Sequence, residues 1–292
     1  MATVNDWIEG ARLRTLPASV APVLAGTGIA FWMGHGSVVR GLLAAAVALA
    51  FQVGVNFSND YSDGIRGTDD VRTGPPRLTG GGKAKPSTVK RAAFACFGIG
   101  CLAGLWLVAL AGAWWMILAG GLAVVAAWYY TGGRHPYGYM GLGEVFVFVF
   151  FGLLATVGTT YTQALHVTWH AWVSAIAIGL IACALLMVNN IRDIPTDSVA
   201  GKNTLAVRLG ELPARLTYDA MITLPLIMAL AFIPELGWWL ALLLPAAGLA
   251  IHNLLRIHAH HATGKALIPV LRDTGFLELA YGAGLGLAFA LG

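Results

Sequence analysis

The segment NFSNDYSD, Asn56 to Asp63, places a carboxamide and two carboxylates at the end of a stretch that is otherwise typical of a membrane-spanning helix. At about 100° per residue, Asn56, Asp60 and Asp63 fall within an arc of roughly 60° and project from one helical face. Ionisable groups are costly inside a membrane and are usually functional there. The sequence therefore predicts an anionic, oxygen-rich cluster on this helix.

A second polar cluster, NNIRDIPTD, ends another apolar segment at Asn189 to Asp197. Asn190, Asp193 and Asp197 share a similar arc if the helix continues to its last acid. Pro195 lies between the two acids. Because its ring clashes with the carbonyl four residues earlier, it predicts that the helix bends or ends there. We expect the two clusters to face each other across a cavity.

Composition places the chain among integral membrane proteins. Of its 292 residues, 58% are hydrophobic and only 11% are charged, whereas soluble domains carry about 25% charged residues. The net charge of +4 comes from basic residues in short loops rather than in one stripe or arm, which favours membrane orientation over nucleic-acid binding. The three cysteines lie in apolar segments without metal-site or redox spacing, which favours a packing role.

Apolar segments of the length that crosses a bilayer, about 20 residues, recur along the whole chain. They lie at 15–33, 39–59, 92–110, 113–131, 142–160, 171–192, 217–234, 238–255 and 274–291. The predicted fold class is therefore an all-α membrane protein of about nine transmembrane helices. The acidic clusters end the second and sixth of these helices, which indicates two pseudo-repeated halves around a central cavity.

The distribution of basic residues predicts the orientation in the membrane. If the N-terminus is cytoplasmic, the loops after helices two and six, residues 60–91 and 193–216, are cytoplasmic and rich in Lys and Arg. On the opposite side Arg40 is the lone basic residue and Glu235 the lone acid. Because cytoplasmic loops carry the excess of Lys and Arg, both acidic clusters are predicted at the cytoplasmic face.

Carboxylates ringed by basic residues describe a site for a divalent cation together with a polyanion. Mg²⁺ prefers oxygen ligands and usually binds through one or two carboxylates plus substrate phosphates. Because the predicted helices are rich in Phe, Leu, Val and Trp, the other end of a bound diphosphate is expected to be a long hydrocarbon. Lys202, Arg208 and Arg66 are predicted to neutralise the diphosphate. The tyrosines predicted to contact an aromatic acceptor are Tyr61, Tyr130 and Tyr137.

A cation-coupled membrane transporter is the alternative from a different functional class. Buried acids between repeated halves also occur in carriers. Alternating access, however, needs a site near the middle of the membrane, whereas both acidic clusters are predicted at one membrane face. The sequence therefore favours an enzyme.

Four separated motifs carry a resemblance to a known family. NDYSD at Asn59–Asp63 and NNIRDIPTDSVAGKNTLAVRLG at Asn189–Gly210 resemble the UbiA superfamily of intramembrane prenyltransferases. RTGPPRLTGGG at Arg72–Gly82 and YYTGGRHPYGYMGLGE at Tyr129–Glu144 are similar to its menaquinone branch. The resemblance covers nearly the whole chain and implies one transmembrane prenyltransferase domain over residues 1–292, with aspartate motifs at 56–63 and 189–197.

One position departs from the family pattern. Many members place a third acid four residues after the position of Asp63, where this chain has Gly67. Asp69 and Asp70 follow instead, as in the menaquinone branch. The number of carboxylates that reach the metal is therefore left open.

The resemblance implies transfer of a long polyprenyl chain from polyprenyl diphosphate to 1,4-dihydroxy-2-naphthoate. Loss of CO2 and diphosphate would give demethylmenaquinol in menaquinone biosynthesis. It also implies Mg²⁺ as cofactor, and a bacterial plasma membrane with the active site toward the cytoplasm. The implied metal ligands are Asn56, Asp60, Asp63, Asn190, Asp193 and Asp197, whose four aspartates are also the implied catalytic residues. A sister enzyme that uses another aromatic acceptor, such as 4-hydroxybenzoate, is the nearest alternative.

Overall fold

The computed structural model describes residues 2–68 and 77–292, and within these ranges the regular structure is entirely helical. In chain order the helices are α1 (Val4–Ala11), α2 (Leu16–Trp32), α3 (Val38–Arg66), α4 (Pro86–Ala111), α5 (Met116–Tyr129), α6 (Gly143–Val147), α7 (Ala155–Ala164), α8 (Trp169–Val199), α9 (Leu205–Leu209), α10 (Glu211–Ala229), α11 (Ile233–Leu236), α12 (Leu244–His258) and α13 (Leu267–Leu291). A π-helical segment, Phe148–Leu154, joins α6 to α7. This confirms the predicted all-α class.

Each of the predicted apolar segments coincides with helix in the described part of the chain. By length and hydropathy, six helical stretches there are long enough to cross a membrane, or seven if α1 and α2, which meet at 51°, form one bent span. The chain is thus an integral membrane protein. The 14-residue α5 is shorter, and residues 211–258 count as one stretch of 48 residues although they contain both α10 and α12. The number nine and the two repeated halves stay predictions.

α8 forms the centre of the bundle and carries the second acidic cluster. Its Ile178, Ile181 and Met187 are fully buried and belong to a core shared with α10, α12 and α13. The helix continues through Pro195 to Val199. Of the two predicted outcomes at the proline, a bend or an end of the helix, the end does not occur. A proline removes a single backbone donor, and here the flanking turns keep their helical path. Asp193 and Asp197 therefore lie on the same helix.

Glycines let α2 and α13 touch backbone to backbone. A Cβ atom on Gly28 would lie 2.0 Å from the carbonyl oxygen of Gly286. A Cβ on Gly286 would lie 2.4 Å from the carbonyl oxygen of Leu24, and one on Gly282 would lie 2.4 Å from that of Ala21. Such close approach is how membrane helices gain van der Waals packing. These glycines therefore fix the contact between the first and last long helices.

Gly28→Val is expected to lower the free energy of unfolding by about 1–3 kcal/mol, because the side chain forces two packed backbones apart. The matched control is Gly98→Val, because a Cβ at Gly98 meets no atom within 4 Å. Thermal unfolding of both variants in detergent checks this. Equal melting temperatures for the two variants would contradict the packing account.

α3 begins beside a half-buried arginine contact and ends at a glycine. Near its start, the Arg40 guanidinium donates to the carbonyl oxygens of Thr162, Gln163 and Leu110 at 3.1, 3.1 and 2.6 Å, which are carbonyls at the C-terminal ends of α7 and α4. At its other end, Gly67 terminates the helix with φ of 73°, a left-handed conformation that favours glycine. The helix therefore extends past the predicted span and carries the whole first cluster.

Candidate functional site

A cavity of about 960 Å³ lies between α3 and α8 and extends along α4, α5 and the π-helical segment. One end of its wall is polar and charged. The side chains there include Asn59, Asp63, Arg77, Tyr139, Asn189, Arg192, Asp193, Asp197 and Lys202. The remainder is apolar, with Leu105, Val108, Val124, Phe146, Phe150 and Leu154 among its lining residues. The cavity thus combines a charged end with an apolar chamber.

Asn59 and Asp63, four residues apart on α3, form the first polar row of the cavity. The hydroxyl group of Tyr139 donates to Oδ1 of Asp63 at 2.7 Å, and Nζ of Lys202 lies 3.4 Å from its Oδ2. Oδ1 of Asn59 accepts a hydrogen bond from the Thr131 hydroxyl at 2.8 Å. Because residues four apart share a helical face, both side chains point the same way into the cavity wall.

Tyr139 contacts α3 through its hydroxyl group and the segment after α8 through its ring. It lies in the 3₁₀ turn Tyr137–Met140, before α6, and Nζ of Lys202 lies 4.6 Å from its ring centroid. This distance suits a cation–π contact. Burial and the neighbouring Asp63 carboxylate raise the pKa of Tyr139 above its usual range, so the hydroxyl group remains a hydrogen-bond donor at neutral pH.

Asn189, Asp193 and Asp197, spaced four residues apart on α8, form the second polar row. The Arg192 side chain binds Asp193 in a fork, with Nε 2.7 Å from Oδ1 and Nη2 2.5 Å from Oδ2. Nη2 also donates to Oδ1 of Asn189 at 2.8 Å. The two rows together supply oxygen donors and nearby cations at one end of the cavity.

The family follows from a comparison with known proteins. A model of the UbiA prenyltransferase family matches residues 19–268. The chain belongs to the UbiA prenyltransferase family. A similar relative, 1,4-dihydroxy-2-naphthoate octaprenyltransferase of Mycobacterium tuberculosis, is 47% identical over 292 residues, which cover 100% of this chain and 99% of the relative.

Solved UbiA structures share the fold at low sequence identity. The apo structure of a UbiA homolog from Aeropyrum pernix has a TM-score of 0.72 at 15% identity and covers 91% of this chain and 96% of its own. The UbiA homolog from Archaeoglobus fulgidus bound to GPP and Mg²⁺ has a TM-score of 0.64 at 16% identity, covering 96% and 99%. These likenesses place the helical bundle of this chain in the UbiA fold.

Asp60 of this UbiA chain lies outside the cavity wall. It is fully buried, and its Oδ2 and Oδ1 accept the backbone N–H groups of Leu78 and Thr79 at 2.9 and 2.8 Å. Both carboxylate oxygens therefore hold the loop that follows the first motif. The geometry gives Asp60 a role in placing that loop, including Arg77, which lines the cavity one residue earlier.

Asn56 and Asn190 line the cavity, but other residues hold their carboxamides. Nδ2 of Asn56 donates to the carbonyl oxygen of Ala11 at 2.8 Å and to the Thr15 hydroxyl at 3.2 Å. Nδ2 of Asn190 donates to Oε1 of the buried Glu144 at 3.0 Å. These bonds attach α3 to the end of α1 and the turn after it, and α8 to α6. Their predicted metal roles stay predictions.

Two of the three predicted diphosphate-binding cations bond to the protein's own carbonyl groups. Arg66 bonds to the carbonyl oxygens of Thr131 and Gly133, and Arg208 to those of Asn203 and Met140 at 3.2 and 2.8 Å. Neither lies in the cavity wall, whereas Lys202 does. Arg66 and Arg208 therefore stabilise the loops beside the charged end in this conformation.

Two of the three tyrosines predicted to contact the acceptor line the cavity, and the third does not. Tyr130 and Tyr137 line the cavity, and the Tyr137 ring stacks on Phe146 with centroids 3.8 Å apart. Tyr61 lies outside the wall and stacks on Trp128 at 6.2 Å. Aromatic faces therefore border the cavity on the α5 and α6 side.

Asp69, Asp70 and Arg72, which follow the first motif and belong to the family resemblance, lie outside the described residues.

Sequence reasoning missed four cavity residues: Asn59, Asn189, Tyr139 and Arg192. Asn59 and Asn189 lie four residues before Asp63 and Asp193, and that spacing was a usable signal because it puts them on the same helical face. Arg192 is adjacent to Asp193, and Tyr139 is in a loop far along the chain from both acids. Their importance follows from tertiary contacts, which no local pattern encodes.

The cavity donors suit a hard divalent cation bound together with phosphate. The polar rows offer only carboxylate and carboxamide oxygens, which Mg²⁺ prefers. Among residues 2–68 and 77–292, no three His, Cys, Asp or Glu side chains converge on one metal position. Mg²⁺ takes many of its ligands from water and substrate phosphates, so the residues present fit a metal that binds with a diphosphate.

Proposed function

We propose that this chain transfers a polyprenyl group from polyprenyl diphosphate to 1,4-dihydroxy-2-naphthoate in menaquinone biosynthesis, with Mg²⁺ as cofactor. The observation that carries the proposal is one cavity whose charged end holds both acidic rows and whose remainder is apolar. The 47% identity to the Mycobacterium tuberculosis octaprenyltransferase supports the acceptor. The Mg²⁺ and GPP bound to the Archaeoglobus fulgidus homolog support the metal and the diphosphate.

The proposed residue roles follow the cavity wall. Asp63, Asp193 and Asp197 would supply ligands to a metal that enters with the diphosphate, rather than form a three-acid site before the substrate binds. Asn59 and Asn189 lie beside them on the same helical rows. Bound Mg²⁺ would supply charge stabilisation for the departing diphosphate. The cations Lys202, Arg192 and Arg77 line the same end and would bind the diphosphate oxygens that the metal does not take.

The chemistry requires an apolar environment once the allylic C–O bond breaks. The bonding electron pair leaves with the diphosphate and the prenyl chain becomes an allylic cation. Apolar walls keep water from capturing this cation, and the rings of Tyr130 and Tyr137 present aromatic faces that stabilise positive charge. The naphthoate ring carbon that bears the carboxylate then forms the new C–C bond. Its bond to the carboxylate breaks and CO2 leaves with diphosphate.

Tyr139→Phe is expected to lower kcat by about 10-fold, since it removes one hydrogen bond to a charged group, worth about 1.5–3 kcal/mol. The phenyl ring keeps its contact with Lys202, so the variant should remain folded and its melting temperature should fall by only several degrees. Steady-state kinetics with a long prenyl diphosphate check this. Wild-type kcat in the variant would show that the Tyr139–Asp63 bond has no catalytic importance.

The acceptor is tested by offering 1,4-dihydroxy-2-naphthoate and 4-hydroxybenzoate separately to the purified protein with a long prenyl diphosphate and Mg²⁺. We expect demethylmenaquinol and released CO2 from the first acid. Product from 4-hydroxybenzoate alone would overturn the proposed acceptor. Because detergent micelles sustain no ion gradient, turnover there also excludes a pure transporter.

We further propose that the charged end of the cavity faces the cytoplasm of a bacterial plasma membrane. The basic loops around residues 60–91 and 193–216 support this orientation through the positive-inside preference. Labelling of Ser198→Cys, which lies on exposed surface just beyond Asp197, with a membrane-impermeant maleimide tests it. Labelling in inverted vesicles but not in intact cells is expected, and the reverse would contradict the orientation.

A further inference from the structure

The Arg192 guanidinium is the counter-ion of Asp193 in this structure. Both carboxylate oxygens of Asp193 accept from it, at 2.7 and 2.5 Å, and only 5% of the Arg192 side chain is exposed. Both residues line the charged end of the cavity. A carboxylate proposed as a metal ligand therefore already has a buried, bidentate cationic partner.

Simultaneous binding of a divalent cation and the Arg192 guanidinium to Asp193 is electrostatically unfavourable. The fork uses both carboxylate oxygens, and two cations on one carboxylate would repel each other strongly in a buried site. Moving Arg192 away without a new partner would leave a buried, unpaired charge, which is strongly unfavourable. A diphosphate gives the released guanidinium a new anionic partner, because phosphate oxygens can accept both hydrogen bonds of its fork.

The first acidic row has a similar arrangement. Nζ of Lys202 lies 3.4 Å from Oδ2 of Asp63, with only 15% of the lysine side chain exposed. The lysine is also held over the Tyr139 ring. One carboxylate of each polar row is thus paired with a cation, Asp63 with Lys202 and Asp193 with Arg192.

We propose that Arg192 is an exchangeable counter-ion that couples metal binding to diphosphate binding. It bonds to Asp193 until a metal–diphosphate pair enters, then releases this carboxylate to the metal and binds the diphosphate. The metal alone binds weakly, because it competes with the guanidinium. The inference rests on the proposed metal–diphosphate site and adds the residue that couples the affinities for the two ligands.

The test measures Mn²⁺ binding to the full-length protein in detergent from the EPR signal of the free ion, with and without geranyl S-thiolodiphosphate. Wild type is expected to bind Mn²⁺ at least tenfold more tightly when the analogue is present. In Arg192→Gln, Mn²⁺ alone should bind at least tenfold more tightly than to wild type, because the competing charge is gone. The analogue should bind this variant at least tenfold more weakly.

Arg272 provides a matched control. It also neighbours an aspartate in sequence, and its Nε lies 2.8 Å from Oδ1 of Asp273, but it lies outside the cavity wall with 53% of its side chain exposed. Arg272→Gln should leave both affinities unchanged. Arg192→Lys keeps the charge but loses the fork, and its affinity for Mn²⁺ alone should fall between those of wild type and Arg192→Gln.

Two outcomes separate this inference from the proposed function. If wild type binds the analogue with Mn²⁺ but Arg192→Gln and Arg192→Lys bind Mn²⁺ alone no more tightly than wild type does, the counter-ion exchange is wrong and the site remains. If wild type binds no analogue in the presence of Mn²⁺, the proposed function itself is wrong.

Discussion

Asp193→Asn is expected to lower the rate of prenyl transfer by about 10²–10³-fold, the size of effect seen when one group that stabilises developing charge is removed. Asparagine keeps the shape of the side chain but loses the negative charge that a metal needs. Asp63→Asn should have the same effect, since both acids line the charged end of the cavity. Quantifying the prenylated product over time with each purified variant checks this.

A matched control comes from another aspartate of the bundle. Asp219 on α10 bonds to His258 at 2.7 Å and lies outside the cavity wall, so Asp219→Asn should keep at least half of the wild-type rate. Asp219→Asn should melt within a few degrees of wild type.

Asp193→Asn and Asp63→Asn should melt lower, because they leave the largely buried Arg192 and Lys202 charges without their carboxylates. Their rates are therefore compared at a temperature at which circular dichroism shows them folded. Near-wild-type turnover by Asp193→Asn would remove the acid from the proposed site.

Asp60→Asn is expected to destabilise the protein rather than to remove a metal ligand. An asparagine has one acceptor oxygen, so it satisfies only one of the two backbone N–H groups that Asp60 now binds, those of Leu78 and Thr79. The loss should lower the free energy of unfolding by about 2–3 kcal/mol. Thermal unfolding and limited proteolysis of the loop at 77–85 measure the effect.

The functional consequence of Asp60→Asn should differ from that of the cavity acids. Because the loop that Asp60 holds also places Arg77 in the cavity wall, KM for the diphosphate should rise while the affinity for metal alone stays unchanged. Ser62→Ala is the control on the same helix, since its buried hydroxyl group has no hydrogen-bond partner among the described residues. Reduced metal affinity in Asp60→Asn with wild-type stability would instead support Asp60 as a ligand.

Hydrophobic length predicted the fold well because lipid imposes one simple requirement, a long apolar helix. The positions of α3, α4 and α8 were therefore visible in the sequence. Their packing was not, because the contact of Gly28 with Gly286 depends on which distant helix lies opposite. Pro195 shows the same limit, since local sterics alone could not decide whether α8 continues.

The sequence predicts that Asn56, Asp60 and Asp63 share one arc of α3, but it does not predict which side of that arc faces the cavity. Helical periodicity gives the angle between Asp60 and Asp63, whereas tertiary packing decides which of them faces the cavity. Asp63 faces it and Asp60 faces the following loop. Asn59 also lines the cavity, as the predicted Asn56 does, but it lies outside the arc on which the prediction was based.

The basic residues were the least predictable part of the site. Charge alone does not distinguish a cation that binds substrate from one that bonds to carbonyl groups, as Arg66 and Arg208 do. Arg192 and Tyr139 gained their roles from contacts with Asp193 and Asp63. These contacts depend on the final positions of the loops, which the sequence pattern does not specify.

The central claim, that the two acidic rows hold a metal together with the substrate diphosphate, is tested most directly by ³¹P ENDOR spectroscopy. The sample is the purified protein with Mn²⁺ and geranyl S-thiolodiphosphate. A ³¹P hyperfine coupling to protein-bound Mn²⁺ is predicted for wild type and should be lost in Asp193→Asn. A wild-type spectrum without ³¹P coupling, or an unchanged coupling in Asp193→Asn, would contradict the claim.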